Sequence, residues 1–192
     1  TLGIFAATTE SIQGALMQMV NHGIVSSALF MLIGVVYDRM HTRDLNRFGG
    51  LVKVIPLYSV VFVFFVMASV ALPGTNSFVG EFLILVGSYS VAPTPTIFAT
   101  LGVVLGAAYM LWLTKPMIFG TPETAEVQRL TDMDKREIAM FIPLVFLVLL
   151  LGLYPKALLG ITEASAKNLS ESLGTGYHET LMRTKDHIVG QT

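Results

Sequence analysis

Glu81 is a carboxylate in a stretch that carries no other charge. The 27 residues before it (54–80) and the 33 after it (82–114) contain no Asp, Glu, Lys, Arg or His. An acid within an apolar segment points to function, because an idle charge there is costly. Two readings compete. In one, Glu81 is a helix-start acid at an aqueous end, held in a capping box. Such a box needs the acid three residues after its cap; Ser77 plus three is Gly80, so Glu81 falls one late. In the other, Glu81 lies in the first turn of a helix restarting near Phe78 and binds protons within the bilayer. There the helix dipole favours its charge and desolvation opposes it, and such opposed terms suit a group that takes up and releases protons.

A second polar set lies upstream. His22 sits mid-way along an apolar run from Ser11 to Tyr37, with Gln18 four residues before it and Ser26 four after. Residues four apart share one helical face, and Asn21 and Ser27 flank it. This stripe reads either as a hydrated proton relay through a titratable imidazole or as an interhelical hydrogen-bonding set with a packing role. The histidines at 22, 41, 178 and 187 form no metal-ligand cluster, and His178 and His187 are expected to face solvent. The absence of cysteine excludes disulfides, thiolate zinc sites and iron–sulfur ligation.

The elements that must position these groups are membrane helices. Only 13% of the residues are charged and 53% are hydrophobic, where soluble domains carry about 25% charged residues. The mean hydropathy of +0.68 agrees with an integral membrane protein. The net charge of −1 gives no reason to expect nucleic-acid binding. Apolar runs cover Ser11–Tyr37, Pro56 onward through "LPGTNSFVGEF" to "GSYSVAP", Ile97–Thr114 and Ile138–Pro155. Basic residues gather in the loop holding Arg39, Arg43, Arg47 and Lys53, and in that holding Lys115, Arg129, Lys135 and Arg136. The connection "APTPT" has none. The positive-inside rule puts both basic loops on the cytoplasmic or matrix side and "APTPT" on the other.

That alternation requires residues 56–91 to cross once. From 78 to 91 is only ~21 Å of helix, short of a bilayer core of about 30 Å. The segment is therefore expected to be one crossing broken at Pro73 and Gly74, a geometry that survives only when buried or lining a hydrated cavity. Midplane breaks of this kind are where transporters build ion sites. Glu10 is expected at the interface and the cluster "DRMHTRD" (38–44) as a helix cap or loop pin. Gly102 and Gly106 form a GxxxG that signals close helix packing, and Trp112 and Lys115 fit interfacial anchoring. The tail from Gly160 has only ragged helical spacing. The opening "TLGIFAATTE" lacks a readable signal peptide and reads like the end of a helix begun elsewhere, in a fragment or with the rest on another polypeptide.

"NHGIVSSALFMLIGVVYDR" followed by "LPGTNSFVGEFLILVG", with "LGAAYMLWL" and "REIAMFIPL", resembles the antiporter-like chain 4 (subunit M) family of proton-pumping NADH:quinone oxidoreductase, respiratory complex I. The resemblance covers residues 1 to 158 and corresponds to that family's C-terminal third. Related chains usually carry Lys at the broken-helix position, so Glu81 singles out chain 4. The family loop more often contains Gly after "PGT", where this chain has "NSF". With the apolar runs, the resemblance leads to an all-α polytopic bundle of about four transmembrane helices, one discontinuous, in residues 1–158; the polar tail, 159–192, lies beyond the resemblance. The resemblance implies Glu81 as a terminal proton-binding residue and His22 as the histidine linking it to an upstream lysine that this chain lacks, with Gln18 and Ser26 in support. It further implies a subunit of an H+-translocating enzyme complex in the mitochondrial inner or bacterial cytoplasmic membrane. Flavin, iron–sulfur clusters and quinone would belong to other subunits, and no cofactor or metal to this chain. Its partners would be neighbouring antiporter-like subunits, lipid and a chain bearing the N-terminal part. The alternatives are a cation/proton antiporter or membrane-bound hydrogenase subunit, and a non-transporting membrane scaffold.

Overall fold

The computed structural model describes residues 1–121 and 125–189, with side chains at all of these except 46, 125 and 174–189. The side chains of His178 and His187 thus lie outside the described residues. Within the described residues the chain is helical, with no strands: α1 (Leu2–Ala6), α2 (Thr9–Met40), α3 (Leu51–Val54), α4 (Pro56–Ser69), α5 (Asn76–Tyr89), α6 (Pro93–Phe119), α7 (Ala125–Gln128), α8 (Lys135–Leu153) and α9 (Lys156–Val189). Helices α2, α6 and α8 are long and apolar enough to span a membrane. With the broken pair α4–α5 they make an all-α membrane bundle of three continuous crossings and one discontinuous one.

Helix α2 is the spine. Thr8 caps its start, accepting a hydrogen bond from Ser11 N–H at 3.1 Å while Ser11 Oγ accepts from Thr8 N–H at 3.2 Å. At the other end, Arg39 bolts three segments together. Its guanidinium donates to both Glu137 carboxylate oxygens at 2.8 Å, to the carbonyls of Val35 and Thr131 at 2.8 and 3.0 Å, and to that of Asp132 at 3.3 Å. This is the pin expected of "DRMHTRD". The Asp132 carboxylate in turn accepts Leu57 N–H at 2.8 Å and Tyr58 N–H at 3.0 Å, capping α4 from a distant loop. Helix α4 therefore begins beside the Arg39 end of α2. Its buried face, Tyr58, Phe62, Phe65 and Val66, belongs to one core with Val25, Ala28, Leu32 and Val36 of α2.

Helix α5 carries on along the other half of α2. Asn21 lies against Asn76, Gly14 against Ile84, and Thr8 against Gly87. The partners run in opposite order along the two helices, so α4 and α5 together traverse the length of α2 once. The single broken crossing required by the loop charges is what forms.

The break itself differs in detail from the sequence expectation. Helix α4 stops at Ser69, before Pro73 is reached. Leu72 N–H bonds the carbonyl of Met67 at 3.0 Å and Ala71 N–H that of Ala68 at 3.3 Å, with Ala71 left-handed at φ 57°. This is a Schellman stop with alanine where glycine is usual. Gly74, at φ +95°, occupies a conformation that a side chain would strain. Helix α5 restarts at Asn76, two residues earlier than expected, so Glu81 is its sixth residue and sits in the second turn, not the first. Asn21 of α2 donates to the Asn76 carbonyl at 2.8 Å and so ties the first residue of α5 to α2. The direct influence of the helix terminus on Glu81 is weakened accordingly. No capping box forms: Thr75, the N-cap, turns its hydroxyl back to the Leu72 carbonyl at 2.7 Å.

The restart side of the break is buried, while Leu72 and Pro73 on its α4 side are exposed. Thr75, Asn76 and Ser77 are almost wholly covered, with Gly152 of α8 pressed against Gly74 and Thr75. The tail, ragged in sequence, is helical: α9 runs through the expected boundary near residue 158. It docks on the start of α2, with Ala166 fully buried and Ser170 Oγ donating to the Ala7 carbonyl at 2.7 Å.

Candidate functional site

The α2–α5 seam is built on close backbone approach. A Cβ added at Gly14 would lie 2.7 Å from Ile84 N, one at Gly87 2.5 Å from Ser11 N, and one at Gly80 2.6 Å from Gln18 Oε1. Gly80 and Gly87 are seven residues apart and share a helical face. Their shared face was a readable signal for this contact. Gly102 and Gly106, read from the sequence as the packing pair, have open space where their Cβ atoms would be. Glycine spacing permits approach but does not name the neighbour; among the described residues nothing fills theirs.

Into this seam α5 brings Glu81. Gln18 Nε2 donates to Glu81 Oε1 at 3.3 Å, joining two of the residues singled out from the sequence. On its other side Glu81 lines a cleft of about 490 Å³ between the end of α4 (Ser69, Val70) and the Gly102–Gly106 face of α6. The carboxyl is half-buried, held by a carboxamide on one side and open to this cleft on the other.

His22 and Ser26 form the next pair on α2, with Ser26 Oγ 3.2 Å from His22 Nδ1 and 3.3 Å from Nε2. His22 is exposed on the outer side of α2, one turn beyond Gln18. The four polar residues therefore form two pairs, Glu81–Gln18 and His22–Ser26, and the fold brings no direct bond between them. Pro73 and Gly74 lie in the break above the seam.

One feature escaped the sequence reading. Asn21, noted only as flanking the stripe, is fully buried, and so is Asn76. Asn21 Nδ2 donates to the Asn76 carbonyl at 2.8 Å, and Asn76 Nδ2 donates to Asn21 Oδ1 at 3.1 Å. The readable signal was an asparagine three residues from Gln18, hence on the same face. Among the described residues no three His, Cys, Asp or Glu side chains gather as a metal site would require.

Residues 1–107 match the family model described as NADH:quinone oxidoreductase/Mrp antiporter, TM. The chain is 46% identical over 181 residues to NADH-quinone oxidoreductase subunit M of Rhodobacter capsulatus, covering 94% of this chain and 35% of that protein. It is 43% identical over 171 residues to NADH-ubiquinone oxidoreductase chain 4 of Chondrus crispus, covering 89% of this chain and 35% of that one. The chain thus spans about a third of the length of the curated relatives it matches. In structure it superposes on a chain of respiratory complex I from Thermus thermophilus with bound NADH, with TM-score 0.83, 28% identity, and 88% and 36% of the two chains covered. A chain of the Mrp complex from Dietzia sp. shares the fold, with TM-score 0.71 at 20% identity, covering 88% of this chain and 40% of that one.

Proposed function

We propose, from the premise that this chain belongs to the NADH:quinone oxidoreductase/Mrp antiporter transmembrane family, that it supplies the terminal part of a proton pathway in an NADH:quinone oxidoreductase. Glu81 is the proton-binding group, Gln18 its fixed partner, and His22 with Ser26 the next polar station along α2. The observation that carries this reading is the Gln18–Glu81 bond, made on the short helix that follows the break and facing an open cleft. A carboxyl in that position has a partner inside the protein and a route for protons outside it, as an intramembrane proton site needs.

The chain has no redox centre of its own in this reading. Electron transfer through flavin, iron–sulfur clusters and quinone belongs to other subunits, and the energy reaches this chain through its membrane neighbours. The partners are antiporter-like subunits of the same complex, a segment supplying the upstream lysine, and the lipid of a bacterial cytoplasmic or mitochondrial inner membrane. Residues 1–158 form the translocating part, and 159–192 a polar tail that is helical through Val189.

The test is Glu81→Gln in the assembled complex. Glutamine keeps the volume and cannot exchange a proton, so protons moved per NADH oxidised are expected to fall by at least several-fold while the amount of complex holds. Unchanged stoichiometry would remove Glu81 from the pathway. Co-purification with subunits that oxidise NADH separates this reading from a stand-alone cation/proton antiporter, whose complex would lack them.

A further inference from the structure

Gln18 does more in this geometry than hold Glu81. Its Nε2 donates to the carboxyl, while its Oε1, on the same planar amide, is buried and without a hydrogen-bond partner. A buried acceptor left unpaired is costly. The donor half of the amide matches an ionised carboxylate, which only accepts; the acceptor half matches a protonated carboxyl, which carries one O–H to donate. We propose that the Gln18 carboxamide is a two-state partner for Glu81, satisfying the ionised form through Nε2–H and the protonated form through Oε1, and that Gly80 is the positioning residue that leaves room for it. The inference rests on Glu81 being the proton site.

The protonation step is simple to balance. A proton arriving from the cleft adds to a Glu81 oxygen, the new O–H donates to Gln18 Oε1, and Nε2–H keeps its bond to the other oxygen. Deprotonation reverses both changes. Neither state leaves Glu81 without a partner, so α5 need not part from α2 as the proton comes and goes. The other groups facing the carboxyl are uncharged: Ser69 at the end of α4 and Tyr109 of α6 line the same cleft, and His22 is turned to the outer side of α2.

Gly80 makes the arrangement possible. A Cβ there would stand 2.6 Å from Gln18 Oε1, and 3.2 Å from Gln18 Cα and Cβ. The atom best able to give way is the end of the flexible carboxamide, so Gly80→Ala is expected to displace the amide rather than the helix.

The experiment uses the intact complex with four variants: Gln18→Ala, Gly80→Ala, the two combined, and Glu81→Gln. Gln18→Ala and Gly80→Ala are each expected to cut protons pumped per NADH several-fold with assembly retained. The double variant is expected to be no worse than Gln18→Ala alone. Infrared difference spectra on a pH step, with the carboxyl band assigned by its loss in Glu81→Gln, should show that band at higher wavenumber in Gln18→Ala, as for a carboxyl that has lost hydrogen bonds. If Gly80→Ala costs the same factor in the Gln18→Ala background as it does when Gln18 is present, helix spacing is responsible and the carboxamide role is overturned. An unmoved carboxyl band with normal pumping in Gln18→Ala overturns it as well, while a damaged Glu81→Gln leaves the proton-site reading standing. Normal pumping in Glu81→Gln ends both.

Discussion

The two halves of α2 are packed by opposite means. From Val25 to Val36 it meets α4 through bulk: Phe65, Val66, Tyr58 and Leu32 are fully buried and their volumes fill the contact. From Ser11 to Asn21 it meets α5 through the absence of bulk, with Gly14, Gly80 and Gly87 bringing backbones together and Gln18 and Asn21 bonding across. In a membrane, where apolar side chains gain nothing by leaving lipid, both means depend on dispersion and fit, and polar bonds add to the second. The difference teaches where this chain holds its shape and where it keeps chemistry. The aromatic half fixes the crossing; the glycine half lets a carboxyl sit at a helix contact without lipid around it.

Phe65→Ala should break the comparison most sharply. Emptying a fully buried ring site leaves a cavity, whose lost packing alone costs about 2–3 kcal/mol, so thermal stability and the amount of assembled complex should fall. The protons pumped by each complex that does form should be normal, because Phe65 lies in the structural half. A lowered stoichiometry with intact assembly would mean that the halves are not separable.

Asn21→Leu probes the polar half with a smaller stability cost. It strips the Asn76 carbonyl and side-chain N–H of their partner, at about 1–2 kcal/mol for such bonds between membrane helices. Here the expected signature is reversed: modest loss of stability in a melting experiment, but a several-fold loss of pumping as the start of α5 shifts and carries Glu81 with it.

His22→Ala should have the least effect on the fold. Its bond to Ser26 is local and the ring is exposed, so stability should change by no more than about 0.5 kcal/mol and assembly should be untouched. Pumping should slow. Failure of the complex to assemble would instead identify His22 as a contact with a neighbouring subunit.

Much of this arrangement was legible in residues 38–136. Basic loops on one side and "APTPT" on the other required a single crossing, and helix length required it to be broken. The position of the stop was not legible, because it is made by the Schellman bonds of Ala71 and Leu72, which end α4 before the proline that advertises a break. The residue that ties the restart to α2, Asn21, lies 55 residues away in the chain. The docking of α9 escaped for a related reason: its seat is made by small residues, Ala166 and Ser170, which carry almost no periodic signal. Within the site, charge isolation found Glu81 and helical spacing found Gln18. Gly80 and Asn21 carried a spacing signal, but the partner each one meets appears only once a second helix is laid against the first.

The cap on α4 bears on how the chain reaches the membrane. The carboxylate that terminates the open amides of Leu57 and Tyr58 belongs to Asp132, which follows them by 75 and 74 residues. A chain emerging from the ribosome presents the start of α4 long before its cap exists. That helix end stays provisional until the later loop is made and swings back, with Arg39 and Glu137 closing on the same occasion. Biogenesis of this bundle is therefore a matter of waiting. A truncation upstream of Asp132 should leave the first turn of α4 uncapped and open to quality-control proteolysis even though every one of its own residues is present.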